Sequence, residues 1–189
     1  MSRLKHLYSL LILCFFLVNG TAFAQKKAYV ITYNEQGITI DGVHISIKNS
    51  VKQLEDLIGT TARTQKFAGT AYAHIFDEAG MVVYSNDNHV EGLTLNFMAN
   101  YEQGGPTKAF KGDFSINGTK VSKKTHQKTI YNLTDVDMHC PGSTYCDLQI
   151  LQTPASCIIS FNKKGKVAVA NFTFVHPYIK PGNSKKPVN

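Results

Sequence analysis

Residues 71–98, AYAHIFDEAGMVVYSNDNHVEGLTLNFM, contain three stretches rich in β-branched and aromatic residues, separated by the turn-forming sequences DEAG and NDN. Such stretches, close together in sequence, are typical of an antiparallel meander. A shift of 76 positions places AYAHIF on DLQILQ and MVVYSN on CIISFN, and one residue later LTLNF falls on ANFTF. The apolar pattern and the order of the segments therefore predict that this three-stranded unit occurs twice.

A hairpin and a short helix precede each unit in the predicted pattern. Asp41-Gly42 and Asn117-Gly118 are two-residue hairpin signals at corresponding places. A helical pattern covers residues 51–59, with Asn49 or Ser50 as its cap, and its counterpart in the second unit is weaker. We therefore predict an α+β fold, a tandem duplication of a β-hairpin–helix–three-stranded antiparallel unit with the helices on one face of the sheet or sheets.

The N-terminal segment has the form of a cleaved export signal. Arg3 and Lys5 precede an apolar run over residues 7–18, and Ala22-Phe23-Ala24 is a small-x-small cleavage site. The run is shorter than the roughly 20 apolar residues that a membrane span needs. We expect residues 1–24 to be removed and the mature protein to be periplasmic, with secretion as the alternative and no membrane span.

The mature chain is predicted to hold two repeats and a tail. The turn-rich residues 101–106 mark the boundary, so the first repeat covers residues 25–100 and the second covers residues 101–176. Residues 177–189 are rich in proline, lysine and glycine, a composition typical of a disordered tail.

Basic residues are concentrated in the second half. The chain has 20 basic and 13 acidic residues, and residues 101–189 hold 12 of the basic and 5 of the acidic ones. This imbalance favours an acidic protein partner or an anionic envelope polymer, or it serves only solubility. No arginine follows Arg63 and no Arg- and aromatic-rich surface motif occurs, so a nucleic acid partner is not expected.

Three cysteines follow the predicted signal. Cys140 and Cys146 flank a loop with Pro141 and Gly142 that can bring the two thiols within bridging distance. Export to an oxidising compartment permits disulfides. We therefore predict a Cys140–Cys146 disulfide and a buried free thiol at Cys157.

One local cluster carries groups suited to metal binding or catalysis. Asp137, His139 and Cys140 offer carboxylate, imidazole and thiolate groups, but no paired short-spaced zinc motif accompanies them. The chain has no GxSxG, Walker, dinucleotide-binding or kinase signature. We expect no metal, no cofactor and no catalytic residue, and an enzyme with its site at this cluster is the alternative hypothesis.

The faces of the predicted strands follow from the alternating set that is apolar in both units. Tyr72 and His74, for example, match Leu148 and Ile150, which assigns this set to the face toward the helices. The opposite face mixes apolar and small polar residues with few charges, a composition suited to burial by a partner. We predict a protein-binding surface on this face, extended by three lysines: Ile75, Val82, Tyr84, Thr94, Asn96, Gln149, Leu151, Ile158, Ser160, Lys163, Lys164 and Lys166.

Residues 50–97, SVKQLEDLIGTTARTQKFAGTAYAHIFDEAGMVVYSNDNHVEGLTLNF, run from a helix ending in Leu-Ile-Gly to three strands. This unit resembles the repeat of the secreted β-lactamase inhibitory proteins and of the related small outer-membrane assembly lipoproteins. Two such units in tandem look like the inhibitory protein, and that resemblance implies one concave sheet that grips an enzyme. Residues 38–47, ITIDGVHISI, also resemble small exported bacterial domains thought to guard against toxic effectors.

These observations predict a periplasmic inhibitor that binds another protein, most concretely an immunity protein that occludes a toxic effector enzyme with an acidic surface. Apolar strand residues would anchor the target, and the lysines would steer it. The rival hypothesis from another class is a structural or accessory component of the bacterial cell envelope, which predicts copurification with envelope machinery.

Overall fold

The computed structural model describes residues 28–66 and 69–174. The predicted signal peptide and C-terminal tail lie outside these residues. The described chain holds two short helices, α1 (Val51–Ile58) and α2 (Gln127–Tyr131), neither of them long and apolar enough to cross a bilayer. Its strands are β1 (Val30–Asn34), β2 (Gly37–Ile40), β3 (Val43–Ile45), β4 (Arg63–Lys66), β5 (Ala71–Phe76), β6 (Met81–Asn86), β7 (His89–Asn96), β8 (Asp113–Ile116), β9 (Thr119–Val121), β10 (Asp137–His139), β11 (Tyr145–Gln149), β12 (Ala155–Phe161) and β13 (Val167–Phe174).

The strands form two sheets. The smaller sheet has five strands in the order β3-β2-β1-β8-β9, and its central pair β1–β8 is parallel while the other pairs are antiparallel. The larger sheet is antiparallel throughout, in the order β10-β11-β12-β13-β7-β6-β5-β4. Its centre is the β7–β13 pair, in which Leu95 lies opposite Ala170 and Leu93 opposite Phe172. Strands from both halves of the chain therefore form one continuous sheet.

The two sheets pack against each other around one aromatic core. The ring of Phe172 in the larger sheet lies edge-on to Tyr33 at 5.4 Å and to Phe114 at 5.8 Å between centroids, and both of these partners belong to the smaller sheet. Edge-to-face pairs at this distance add to the stabilisation from burial alone. Leu54 and Ile58 of α1 pack into the same cluster.

The predicted α+β fold, a tandem repeat with helices covering one face of the sheet, is wrong. The described chain is mostly strand, and its helices contain only eight and five residues. Two such short helices cannot cover an eight-stranded sheet. The hairpins around Asp41-Gly42 and Asn117-Gly118 cover the larger sheet instead. The parallel pairing of β1 with β8 joins these hairpins into the smaller sheet.

Several local predictions are confirmed. Ser50 caps α1, its hydroxyl accepting from the Gln53 backbone while the Gln53 side chain accepts from the Ser50 backbone. Asp41 and Asn117 both have positive φ, and a positive-φ glycine follows each of them. This is the conformation of the tight hairpin turn that joins two adjacent antiparallel strands.

Candidate protein-binding site

The larger sheet has an inner face, packed on the smaller sheet, and an outer face. Residues opposite each other in neighbouring strands share a face. One row of such neighbours crosses the outer face, and each residue in it lies opposite the next. In order from β5 to β12, the row consists of Ile75, Val82, Thr94, Asn171 and Ile158. The strand residues predicted as a binding surface thus lie on the outer face.

Over β5, β6 and β7 the outer face is covered. Ile75, Val82, Thr94 and Asn96 are at most 4% exposed, and burial raises the pKa of Tyr84. The Asn96 side-chain amide is buried without a hydrogen-bond partner in the described part of the chain. Ile75, Val82, Thr94 and Asn96 are therefore not accessible to a partner in this conformation, whereas Tyr84 is partly buried.

Residues 98–107, here called the crossing segment, follow β7 and contact two distant strands of the larger sheet. At one end the Arg63 guanidinium of β4 donates to the Gly105 carbonyl at 2.7 Å. At the other end the Tyr101 hydroxyl donates to the Phe161 carbonyl of β12 at 3.4 Å. With anchors on β4 and β12, the crossing segment spans the strands between them.

Over β11 and β12 the outer face is open. Tyr145 lies opposite Ser160, and Asp147 lies opposite Ile158. Tyr145 is 40% exposed and Ile158 is 36% exposed. We call these four residues the open patch.

Two further predicted residues lie at the edge of the open patch. Gln149 is partly buried on the outer face, opposite Ser156. Leu151 is 71% exposed and belongs to the turn between β11 and β12 rather than to a strand.

A cleft of about 990 Å³ opens at the end of the open patch, beside the β12–β13 turn. Its lining combines hydroxyl, amide, imidazole, ammonium and aromatic groups and contains no carboxylate. The lining residues are Met98, Tyr101, His126, Gln127, Ser143, Thr144, Tyr145, Ser160, Phe161, Asn162, Lys163, Lys164 and Gly165.

The β12–β13 turn places Lys163 and Lys164 at the rim of the cleft and Lys166 next to them in sequence. The Asn162 side-chain oxygen accepts from the backbone of Lys164 at 2.9 Å and of Lys166 at 3.1 Å, and Gly165 adopts positive φ. Lys163, Lys164 and Lys166 are exposed, and none forms an ion pair within the described residues. A compact turn thus presents three charges that the described chain leaves unneutralised.

The predicted disulfide is confirmed. Cys140 and Cys146 are bonded across the loop that contributes Ser143 and Tyr145 to the cleft. Cys157 is a buried free thiol, as predicted, and desolvation raises its pKa well above the usual value. A thiol in that state does not act as a nucleophile.

The alternative catalytic cluster does not assemble a metal centre. Cys140 is consumed by the disulfide, while His139 lies on the edge strand opposite Asp147. Within residues 28–66 and 69–174 no group of three or more histidine, cysteine, aspartate or glutamate side chains is placed to hold a metal ion.

Sequence reasoning missed the aromatic walls of the cleft. Tyr145 lies inside CPGSTYC, which suggested only a disulfide loop, and Tyr101 lies in a turn-rich segment that suggested only a boundary. An aromatic residue within a stapled loop was the available signal, because exposed tyrosines are enriched at interfaces.

The comparison with curated proteins found no match. A cysteine-rich secretory protein from Staphylococcus aureus subsp. aureus Mu50 is similar at 12% identity and a TM-score of 0.40. An extracellular protein containing an SCP domain from Bacillus anthracis str. Ames is similar at 7% identity and a TM-score of 0.46. Each match covers 68% of this chain but only 47% and 44% of those chains, so this chain spans less than half of their length.

One family profile matches residues 30–131, from β1 to the end of α2. The chain therefore belongs to the family described as a domain of unknown function (DUF7738).

Proposed function

We propose that this protein is exported to the periplasm and inhibits another protein by binding it, in the manner of an immunity protein that occludes a toxic effector enzyme. The observation that supports this proposal is the open patch. Tyr145 and Ile158 are large apolar side chains held on a rigid sheet with more than a third of their surface exposed.

The open patch has the composition of an interface centre. A tyrosine and an isoleucine supply apolar area, and Ser160 and Asp147 supply hydrogen-bonding groups beside them. Tyrosine is among the residues that contribute most to binding when a partner buries it. Asp147 sets one requirement on the partner, which must place a hydrogen-bond donor or a cation opposite this carboxylate.

The exposed lysines indicate which sign of charge the partner's surface should carry. Lys163, Lys164 and Lys166 project from one turn beside the open patch and carry no ion-pair partner in the described chain. Clustered charge of one sign raises the association rate with a surface of the opposite sign. An acidic enzyme surface is therefore the target that this side of the molecule favours.

Inhibition would be steric. The antiparallel sheet beneath the open patch is backed by the core and stapled by the Cys140–Cys146 disulfide, so little order is lost on binding. A stable complex buries about 1,600 Å² in total. A partner must therefore cover the cleft and the lysine turn as well as the open patch.

The test uses the mature chain with an affinity tag, expressed in its own host. Proteins retained by wild type are compared with those retained by Ile158→Asp, which places a charge at the centre of the open patch. Val43→Asp is the matched control, because Val43 is 48% exposed on a strand of the other sheet. Circular dichroism establishes that all three proteins are folded.

We expect one stoichiometric partner, retained by wild type and Val43→Asp, with an affinity at least about tenfold lower for Ile158→Asp, or about 1.4 kcal/mol. The purified partner should lose activity when wild type is added. Retention of the partner by folded Ile158→Asp would refute the open patch as the site. Recovery of envelope assembly proteins, with a growth defect in the absence of any toxin, would replace inhibition by the structural role.

A further inference from the structure

We infer that the cleft at the end of the open patch receives a protruding, carboxylate-bearing loop of the partner protein. This inference rests on the proposed function and specifies which part of the partner enters the molecule. It concerns a concave site that shares Tyr145 and Ser160 with the open patch and extends beyond the sheet face to the lysine turn.

The chemistry of the cleft lining carries the argument. Hydroxyls, amides, an imidazole and two ammonium groups line the cleft, and no aspartate or glutamate does. The cleft is therefore rich in hydrogen-bond donors and offers no opposing charge to an anion. A carboxylate fits this lining because charge-assisted hydrogen bonds from lysine and hydroxyl donors are stronger than neutral ones.

Several donors in the cleft have no partner within the described residues. Within the described residues, the hydroxyls of Ser143, Tyr145 and Ser160 have no hydrogen-bond partner in the protein. Lys163 and Lys164 make no ion pair there either. An anion can therefore bind these five groups without breaking a hydrogen bond or an ion pair among the described residues.

The walls of the cleft are held in place. The disulfide fixes the loop that carries Ser143 and Tyr145, and the Asn162 side chain fixes the turn that carries the two lysines. On the remaining side, Met98 lies 3.5 Å from the Asn162 amide nitrogen. A preformed site loses less entropy on binding than a flexible one.

The size of the cleft selects a loop over a single side chain. Its volume of about 990 Å³ is at the upper end of the range for ligand pockets and it opens onto the sheet face. The exposed aromatic walls Tyr101 and Tyr145 suit the apolar part of such a loop, while the lysines at the rim suit its carboxylates.

The experiment uses a probe that needs no knowledge of the partner. A capped peptide containing alternating aspartate, glutamate and tyrosine is titrated into the ¹⁵N-labelled mature protein, and a second peptide with asparagine and glutamine in place of the acids serves as its neutral match. We expect the acidic peptide to shift the backbone amides of residues 143–145 and 160–166, and the neutral peptide to shift none of them.

Two double variants separate a local effect from net charge. Lys163→Gln with Lys164→Gln removes both charges at the cleft rim, and Lys48→Gln with Lys111→Gln removes two exposed charges elsewhere. We expect the first pair to weaken binding of the acidic peptide about tenfold or more and the second pair to change it less than twofold. Equal effects of the two pairs would overturn the inference, since they would indicate attraction by net charge alone.

Other outcomes discriminate between this inference and the proposed function. If Ile158→Asp abolishes partner capture while Lys163→Gln with Lys164→Gln does not, and the acidic peptide shifts no amide in the cleft, the proposed function stands and the inference fails. If inorganic phosphate or polygalacturonate shifts the cleft amides and the peptide does not, the site binds a non-protein anion and the inference is refuted. If wild type captures no partner, or the captured partner keeps its activity, the proposed function itself fails; if neither variant affects capture, the open patch and the cleft are both refuted as the site.

Discussion

The Tyr33 hydroxyl of the smaller sheet donates a 2.7 Å hydrogen bond to the Ala155 carbonyl at the start of β12 in the larger sheet. The same oxygen accepts from the Ile150 backbone at 3.3 Å. Tyr33 is fully buried, and burial raises the pKa of its hydroxyl, which stays protonated and able to donate. One side chain thus satisfies backbone groups on both sides of the β11–β12 turn and joins it to the other sheet.

Tyr33→Phe should lower the free energy of unfolding by about 1–2 kcal/mol, because it leaves the buried Ile150 amide without an acceptor. The Ala155 carbonyl keeps the bond from the Thr153 hydroxyl, which limits the loss. Urea denaturation at neutral pH measures the effect. Tyr131→Phe is the control, since Tyr131 is 40% exposed, and it should change stability by less than about 0.5 kcal/mol. Equal effects of the two substitutions would contradict this account.

The ion pair between Arg63 and Asp77 should make stability depend on pH in the acid range. The hydrogen bonds from Arg63, at 3.2 Å to each carboxylate oxygen, hold the pKa of Asp77 below its usual value. Because the folded pKa is the lower one, this contribution is complete above the unfolded pKa of about 3.9 and is lost as pH falls through the folded value.

Arg63→Gln should therefore destabilise the protein near neutral pH, and its difference from wild type should shrink as the pH falls below the unfolded pKa of about 3.9. Urea denaturation of wild type and variant across this range provides the comparison. Lys52→Gln removes an exposed ion pair with Asp56 and is the control, with a smaller effect at every pH. A stability difference for Arg63→Gln that persists unchanged in acid would show that its contacts with the crossing segment dominate.

The local features of the fold were predictable because short-range interactions determine them. The Ser50 cap, the Asp41-Gly42 turn and the Cys140–Cys146 staple each depend on residues fewer than ten positions apart. The meander of β5 to β7 is likewise visible as alternating apolar runs. Such signals report which elements exist, not which distant elements pair.

The second sheet was not predictable for that reason. Its formation depends on the parallel pairing of β1 with β8, two strands far apart in sequence whose hairpins give no local sign of a common sheet. The edge strands β4 and β10 were missed because each is short and mostly exposed, so neither shows apolar alternation. Short edge strands with polar side chains are a common way to block further strand pairing.

Part of the candidate site could be predicted from the sequence, but the portion of the outer face that stays exposed could not. The choice of the face of β12 that carries Ile158, and the turn that carries Lys163 and Lys164, followed from strand alternation and charge. The contacts of the crossing segment with the larger sheet could not be predicted, because its glycines and proline suggested only a linker between the repeats. One of its anchors on the larger sheet is Arg63 of β4, a strand whose polar composition gives no apolar alternation.

Gly80 should be intolerant of any side chain, because the backbone of Phe110 occupies the space that a Cβ would fill. A Cβ built on Gly80 lies 2.2 Å from the Phe110 nitrogen, which donates to the Asn96 carbonyl at 2.6 Å. Gly118 has a similar positive φ with no atom within 4 Å of its Cβ position. Gly118→Ala should therefore lower the free energy of unfolding by about 1–2 kcal/mol, because of the backbone conformation alone. Gly80→Ala should lower it by at least about 3 kcal/mol. Thermal and urea denaturation of both variants test this difference, and equal costs would contradict the close approach.

The Cys140–Cys146 disulfide should stabilise the protein and order one wall of the cleft. Closing so short a loop restricts the unfolded chain by about 2 kcal/mol. Cys140→Ser should remove that amount, and it leaves Cys146 as a small buried side chain in an otherwise unchanged core. Reduction of wild type should have the same effect, while reductant should not change the variant further. Hydrogen exchange at residues 141–145 should accelerate in the variant and stay unchanged at Cys157, which lies opposite Leu148 on the neighbouring strand. A variant with wild-type stability but faster exchange in the loop would mean that the disulfide orders the cleft without stabilising the fold. A variant with neither change would show that other contacts hold the loop in place.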